Sequence, residues 1–239
     1  MASTFLTAEW RKLLMANYVV SPDLFKPHVP NNTELDFWNE RCYVSLVGFL
    51  FKNTRLKGIK IPFHSTFEEV NLRFYVKYKD GLNWKRGVVF IKEIVPKPML
   101  SFVANIIYGE HYETLPMKHS WNFKEHYQEI KYEWKKRNNW NHIWAKAEKQ
   151  ENPLKKDTEE EFITEHYWGY TKINHLKTSE YEVSHPSWVT YKIIDYHIEV
   201  DFSMVYGENF GFLNHQKPIS IFLAEGSEIV VKTGNVIKN

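Results

Sequence analysis

The 239-residue sequence has a single cysteine, almost no imbalance of charge and no long apolar run. Because Cys42 has no second cysteine to pair with, an internal disulfide is excluded, which fits a reducing compartment. Lysine and arginine total 31 against 29 acidic residues, so no strong field attracts nucleic acid or an anionic membrane. No apolar stretch approaches the roughly 20 residues of a membrane helix, and the first residues lack the pattern of a signal peptide. We therefore expect a soluble, cytoplasmic protein with no nucleic-acid or membrane partner.

Motifs that hold metals or cofactors are also missing from the sequence. The 11 histidines include no HExxH sequence and no pair with convincing ligand spacing. No glycine-rich phosphate loop, serine nucleophile elbow or dinucleotide-binding fingerprint occurs. Basic and aromatic residues interleave between Lys131 and Trp144, as in some single-strand nucleic-acid sites, but Glu129 and Glu133 share the basic face. A solvated hairpin is therefore favoured there, and we predict neither a metal nor a cofactor.

Aromatic residues are abundant, with 9 tryptophans, 14 tyrosines and 16 phenylalanines. Such side chains favour β-strands and often line ligand cavities. The chain shows no internal repeat and no linker long enough to separate two folding units, so residues 1–239 are predicted to form a single domain. The predicted fold class is mainly β (α+β), a curved antiparallel sheet with a few short helices.

Residues 67–78, FEEVNLRFYVKY, have the clearest strand pattern. Alternate residues form an apolar row, namely Val70, Leu72, Phe74 and Val76. The residues between them form a polar row, namely Glu69, Asn71, Arg73 and Tyr75. A surface strand usually shows the solvent a loose mixture of polar residues, whereas a hydrogen-bonding row of this kind suits a polar pocket inside a closed sheet.

The remaining elements follow from periodicity and turn residues. Further strands are predicted over residues 35–38, 42–51, 85–95, 112–121, 127–136, 140–149, 162–172, 179–183, 189–202 and 219–232. The Asp80-Gly81 turn joins 67–78 to 85–95 as a hairpin. Helices are predicted over residues 7–18, where apolar residues recur at helical spacing, and from Pro98 through Ile107.

Several phrases in this sequence occur in the order expected of a known family: FEEVNLRFYVKY, GVVFIKEI, IIYGEHY, EFITEHYWGY and SHPSW. The ordered set resembles the uncharacterised bacterial family DUF2071, which includes the YqjF-like proteins, over nearly the whole chain. That family looks like a divergent branch of the acetoacetate decarboxylase-like superfamily. The resemblance implies a cone-shaped, largely antiparallel β-barrel that encloses a cavity.

The resemblance also implies a reaction that this chain is not expected to perform. Enzymes of that superfamily use a lysine that forms a Schiff base, and a neighbouring lysine in a desolvated cavity lowers its pKa. At the corresponding place in this sequence Gly109 aligns, but Tyr112 and Glu113 replace the two lysines. A phenol cannot form an imine, so the decarboxylase mechanism is expected to fail at its first step. Lys118 shares strand parity with Tyr112, which makes a rescue geometrically allowed but not expected.

The predicted ligand site comprises residues of the polar row and the residues that follow Gly109. The resemblance matches Glu69 to a catalytic-site glutamate of the decarboxylases, whereas Asn71 and Arg73 belong to the DUF2071-like pattern. The planar guanidinium of Arg73 suits a carboxylate, and Asn71 offers both a donor and an acceptor. His111 and Tyr112 are further candidates, as proton donors or acceptors at the cavity mouth.

Purely structural explanations compete with these assignments. Glu69 and Arg73 could pair with each other or with neighbouring strands. His111 and Tyr112 could simply follow a helix cap and begin an ordinary strand.

Three functions remain open at this point. The first is a small-molecule-binding β-barrel without the Schiff-base lysine, a sensor, carrier or sequestering protein for a carboxylate or carbonyl compound. The alternative is an enzyme that uses acid–base chemistry on a small carbonyl or carboxylate substrate in the same cavity, and the third is a scaffold packed with aromatic residues. The missing lysine pair favours the first. Assemblies in the superfamily are often oligomeric, which leaves a homo-oligomer open.

Overall fold

The structure is a computed structural model that describes residues 3–98 and 111–238. Within these residues, fifteen strands form one continuous sheet. The strands are β1 (Thr4–Val20), β2 (Thr33–Leu35), β3 (Cys42–Leu56), β4 (Ile59–Lys60), β5 (Phe67–Asp80), β6 (Asn83–Val95), β7 (Tyr112–Thr114), β8 (Met117–Phe123), β9 (Tyr127–Lys136), β10 (Asn139–Asn152), β11 (Trp168–Asn174), β12 (Lys177–Ser184), β13 (Thr190–Glu199), β14 (Ser220–Lys232) and β15 (Asn235–Lys238). The helical segments include α1 (Glu159–Thr164), α2 (Phe202–Tyr206) and the 3₁₀ helices Pro22–Phe25 and Glu208–His215.

The sheet curls until it closes on itself. Seven neighbouring strands, in the order β12, β11, β6, β5, β3, β1 and β14, form a ring that the pairing of Val183 with Val231 completes. Most pairings are antiparallel, and β6 makes parallel pairings with β7 and β11. The predicted mainly β fold with a curved, largely antiparallel sheet is therefore confirmed.

Beyond the ring, the strands β13, β10, β9 and β8 continue from β14 and cover the outer face of the ring wall. The contact is close at Gly48 of β3, where a Cβ atom would lie 2.8 Å from the ring of the buried Tyr132 in β9. One apolar core, the outer core, lies between the ring wall and these four strands, which together form the extension, and a second core lies inside the ring. The wall strands β1, β3 and β5 are consequently buried on both faces.

Strand β5 shows the alternation that the sequence predicts. Val70, Leu72, Phe74 and Val76 belong to the outer core. Glu69, Asn71 and Arg73 point to the interior of the ring, where all three are buried. The hairpin between β5 and β6, which turns at Gly81, is also confirmed.

The helix predicted over residues 7–18 is wrong, because these residues form most of β1. Residues 12–18 are buried without a break, since β1 has an apolar core on each side, and the two-residue alternation of a half-buried strand is therefore lost. A register shift between Arg11 and Leu14, with a positive φ of 54° at Lys12, displaces the apolar residues further. Their spacing then imitates that of a helix.

Smaller corrections concern strand ends. The strand predicted over 112–121 is divided into β7 and β8 at Leu115 and Pro116. The strand predicted over 162–172 begins only at Trp168, because Phe162 lies in α1. The helix predicted from Pro98 through Ile107 lies, beyond its first residue, outside the described residues.

In the part of the chain that the structure describes, no helix has the length and apolar character that crossing a membrane requires.

Gly226 provides a test of the pairing between the ring strands β1 and β14. It pairs with Arg11 at a φ of 81°, and a Cβ atom would lie 2.0 Å from the carbonyl oxygen of Trp10. Gly81 has a similar φ of 61°, but a Cβ atom there would meet nothing within 4 Å. We expect Gly226→Ala to lower the free energy of unfolding by about 3 kcal/mol or more, and Gly81→Ala by only about 1 kcal/mol. Urea denaturation measures both, and equal losses would contradict the close approach at Gly226.

Candidate functional site

A cavity of about 280 Å³ lies inside the ring. Every ring strand contributes to its lining, in chain order Leu13, Phe49, Asn71, Val88, Gly169, Val183 and Val231. The lining is mainly apolar and aromatic. The cavity is therefore a property of the closed sheet rather than of one loop.

Aromatic rings form much of the cavity wall. Trp10 packs edge-on against Phe49 with ring centroids 5.3 Å apart, and Phe51 stacks on Phe67 at 4.6 Å. His185 stacks on Trp188 at 4.1 Å. Such a wall suits the apolar part of a small organic ligand.

Among the described residues, the carboxylates and the guanidinium of the lining lie on β5 and the neighbouring β6. Glu69, Asn71 and Arg73 have 3%, 1% and 8% of their surface exposed. Strand pairing places Glu93 of β6 beside Asn71, and Tyr112 of β7 beside Glu93. Three neighbouring strands thus supply an elongated polar patch inside an apolar cavity.

Hydrogen bonds order one end of this patch. The Asn71 amide donates to Oε1 of Glu69 at 2.9 Å, and the Tyr112 hydroxyl donates to Oε2 of Glu69 at 3.3 Å. Both oxygens of the Glu69 carboxylate therefore accept hydrogen bonds from side chains of the cavity, and the carboxylate is held in one orientation.

The guanidinium of Arg73 has a different environment. Its Nη2 lies 4.0 Å from the sulfur of Met15, and its Cζ lies 5.9 Å from the ring centroid of Tyr75. Among the described residues no carboxylate lies within ion-pair distance of Arg73, and its Nε has no hydrogen-bond partner. Glu69 and Arg73 therefore do not form an ion pair with each other, whereas Glu69 does bond to Tyr112 of a neighbouring strand, as the structural explanation allows. A buried charge is costly unless it is paired, so a guanidinium with no carboxylate near it among residues 3–98 and 111–238 is suited to receive an anion.

A second buried group beside the cavity is His166, which follows α1. Its Nε2 lies 3.2 Å from Oδ2 of Asp36, and the same oxygen accepts a hydrogen bond of 2.7 Å from Nε of Arg86. Burial lowers the pKa of His166 to about 4, although the hydrogen bond to Asp36 opposes this shift. Burial also disfavours the Asp36 carboxylate, but hydrogen bonds from His166 and Arg86 hold the pKa of Asp36 below its usual value.

With these pKa values, His166 is neutral and Asp36 is ionised near neutral pH, and this fixes the hydrogen bonding of the imidazole. The ionised Asp36 accepts the proton on Nε2, which leaves Nδ1 of the neutral ring as an acceptor. Nδ1 is buried and has no hydrogen-bond partner among the described residues. His166 is therefore a fixed, neutral imidazole at the edge of the cavity.

The other predicted positions lie at different depths. Tyr112 lines the cavity, whereas His111 is exposed and is not part of the lining. Lys118 lies on β8 with 55% of its side chain exposed, 3.5 Å from Glu133 and away from the cavity. All lysines of the sequence fall within residues 3–98 and 111–238, and none of them lines the cavity.

Sequence patterns did not identify Glu93 or His166. The two-residue turn after Asp80 predicts a register in which Lys92, not Glu93, lies opposite Asn71. An extra residue at Ile91 shifts that register by one. The link between His166 and Asp36 spans 130 residues, and no local pattern signals it.

Comparisons with known proteins identify the family of this chain. Residues 7–228 match the DUF2071 family, whose description is an uncharacterized conserved protein. The chain belongs to this family. It is also similar to the uncharacterized protein YqjF of Bacillus subtilis (strain 168), with 34% identity over 82 residues. That alignment covers 34% of this chain and 32% of YqjF, so it spans about a third of that relative.

Solved structures share the fold of this DUF2071 protein at low sequence identity. Acetoacetate decarboxylase from Legionella pneumophila matches with a TM-score of 0.66 and 11% identity, over 98% of this chain and 88% of the other. The enduracididine biosynthesis enzyme MppR complexed with pyruvate matches with a TM-score of 0.69 and 10% identity, over 99% and 91%. An acetoacetate decarboxylase-like enzyme from Sphingomonas wittichii RW1 matches with a TM-score of 0.68 and 7% identity, over 99% and 94%. The predicted acetoacetate decarboxylase-like fold is confirmed.

The buried His166 predicts a pH dependence of stability. In the unfolded chain a histidine has a pKa of about 6.5, whereas His166 in the fold has a pKa of about 4. Its contribution to stability is therefore complete above about pH 6.5 and is lost as the pH falls towards 4. At pH 5 the loss is about 2 kcal/mol by linkage.

We expect the free energy of unfolding of the wild type to fall more steeply between pH 7 and pH 5 than that of His166→Gln. The glutamine keeps a donor for Asp36 but does not titrate. His126→Gln serves as a control, because 85% of the His126 side chain is exposed. Urea denaturation at several pH values measures these slopes, and parallel curves for the wild type and His166→Gln would contradict the assignment.

Proposed function

We propose that this DUF2071 protein binds a small organic carboxylate in the ring cavity, with the carboxylate on Arg73. The observation that carries the proposal is that Arg73 is 8% exposed and that its guanidinium lacks a carboxylate partner among the described residues. A ligand carboxylate would supply two parallel, charge-assisted hydrogen bonds to the guanidinium fork. The same contact would neutralise the buried charge.

The other features of the cavity describe the remainder of the ligand. Arg73 and Glu69 are four residues apart on β5, which separates their Cα atoms by roughly 13 Å. A ligand anchored on Arg73 extends from there along the aromatic wall. The patch of Glu69, Asn71 and Tyr112 offers hydrogen bonds to a carbonyl or hydroxyl group at its far end.

One of the fold neighbours supports a carboxylate ligand. The enduracididine biosynthesis enzyme MppR has been solved as a complex with pyruvate, a small keto acid with one carboxylate. Its similarity to this chain lies in the fold, and its sequence identity is only 10%. The recognition of such a compound is therefore argued from residues of this chain rather than from residues of MppR, and Arg73 is the residue that would bind the carboxylate.

A second candidate function is acid–base catalysis on a small carbonyl or carboxylate compound in the same cavity. The observation that favours it is the hydrogen bond from the Tyr112 hydroxyl to the buried carboxylate of Glu69. A carboxylate and a phenol in contact can pass a proton to and from a bound substrate. This enzyme would work without an imine, since no lysine lines the cavity.

Replacing Arg73 tests the carboxylate anchor. We expect pyruvate, 2-oxobutyrate or phenylpyruvate to bind to the wild type, and the corresponding neutral amides to bind more weakly. Arg73→Met should weaken binding of the acids at least tenfold, because it removes hydrogen bonds to a charged group that contribute about 1.5–3 kcal/mol. Isothermal titration calorimetry measures these affinities.

Two controls complete the experiment. Arg73→Lys keeps the charge but not the fork, so it should lose less affinity than Arg73→Met. Arg55→Met removes an exposed arginine of the neighbouring strand β3 and should bind like the wild type. Equal affinities for acids and amides, or unchanged binding by Arg73→Met, would refute the proposal.

Borohydride trapping distinguishes this chemistry from imine chemistry. We expect incubation with acetoacetate or pyruvate and sodium borohydride to leave the mass of the protein unchanged, because no lysine lines the cavity. Intact-protein mass spectrometry measures the mass, and a reduced adduct on a lysine would contradict the expected absence of imine chemistry. If turnover of a substrate is found, Glu69→Gln should abolish turnover while the substrate still binds. Turnover retained by Glu69→Gln would contradict the role of Glu69 as a base.

A further inference from the structure

Two histidines and a glutamate meet on the outer surface of the extension. His142 lies on β10, and His197 and Glu199 lie on β13. One ligand atom from each of these side chains can be chosen so that all three atoms lie within 4.8 Å of one another. The next residue of β10, Ile143, belongs to the outer core, so the three side chains lie on the face of the extension that points away from the ring.

The two imidazoles are in direct contact. Nε2 of His142 lies 2.7 Å from Nδ1 of His197, and the ring centroids are 4.9 Å apart with an interplanar angle of 28°. Oε2 of Glu199 lies 3.7 Å from Nδ1 of His142. The rings therefore meet edge to edge, with nitrogen atoms pointing at each other.

Strand pairing holds this arrangement in place. His142 pairs with Glu199, and its neighbour on the same face, Trp144, pairs with His197. The histidines are thus diagonal neighbours across two paired strands, a position from which long side chains reach each other. Because both strands belong to the continuous sheet, the ligand atoms are brought together without a mobile loop.

The contact between the two imidazoles leaves at least one nitrogen lone pair available to a metal ion. Two nitrogen atoms 2.7 Å apart cannot both carry a hydrogen on the line between them, so at least one of them presents its lone pair. Neutral imidazole nitrogen is the form that binds metals.

We infer that His142, His197 and Glu199 form a binding site for a divalent transition metal ion such as Zn²⁺. Two imidazoles and one carboxylate are a common ligand set for such ions, and water completes the coordination. In a tetrahedral zinc site with Zn–N bonds of 2.0–2.1 Å, the two nitrogen atoms lie roughly 3.3 Å apart. The imidazoles must therefore separate by roughly 0.6 Å, which small rotations of the exposed His197 ring can supply.

This site does not follow from spacing along the chain. His142 and His197 are 55 residues apart, so the sequence contains no local histidine pair that would signal them as ligands. The site is independent of the cavity and of the carboxylate proposed for it. A failure of carboxylate binding would leave the metal site unaffected.

Titration with metal tests the inference. Protein treated with EDTA and freed of the chelator is titrated with Zn²⁺ by calorimetry, and with Co²⁺ by its visible absorption. We expect one equivalent to bind to the wild type and His142→Ala and His197→Ala each to weaken binding at least tenfold. Glu199→Gln, which keeps the shape of the side chain, should weaken binding severalfold.

His126→Ala is the matched control, because His126 is an exposed histidine with a glutamate beside it, 3.8 Å away, but no second histidine ligand among the described residues. It should bind metal like the wild type. Circular dichroism establishes that each variant is folded. No binding by the wild type, or one equivalent still bound with unchanged affinity by the His142→Ala/His197→Ala double variant, would overturn the inference and leave the histidines as a hydrogen-bonded pair.

Discussion

The burial of both faces of β5 is the constraint on which the rest of the structure depends. The apolar face must be covered, and it is covered by strands that fold back over the ring wall and by the 3₁₀ helix Pro22–Phe25, whose Phe25 stacks on Phe74 at 4.2 Å. The other face carries Glu69, Asn71 and Arg73, which cannot pack against apolar side chains without partners. Closing the sheet around a cavity gives these groups a common space. The polar row of β5 and the closed ring therefore depend on each other.

Two arginines of this fold differ in exposure and in partners, since 34% of the Arg86 side chain is exposed whereas Arg73 is buried. Arg86 has a carboxylate partner in Asp36, which also holds His166, so the charges of that network are balanced within the protein. Arg73 has no carboxylate partner among the described residues, although Glu69 lies on the same strand. The carboxylate of Glu69 accepts hydrogen bonds from Asn71 and Tyr112, which orient it. The cavity therefore keeps a cationic donor in one place and an oriented carboxylate in another.

Local patterns predicted those elements whose environment is simple. The alternation in β5 identified both its outer apolar row and its inner polar row, and the ordered family phrases identified the fold. Periodicity failed for β1, because a strand with a core on each side has no alternation to detect. It missed Glu93, because the extra residue at Ile91 shifts the hairpin register, and it missed His166, because its partner is 130 residues away. Sites built by register shifts and by distant chain segments require the three-dimensional structure.

The central claim is that Arg73 receives the carboxylate of a ligand inside the ring. A crystal structure of the protein grown with phenylpyruvate tests it most directly. We expect electron density in the cavity with both carboxylate oxygens about 2.7–2.9 Å from guanidinium nitrogen atoms of Arg73. A carboxylate bound elsewhere while Arg73 remains without it, or an Arg73 side chain paired with a carboxylate of the protein, would contradict the claim.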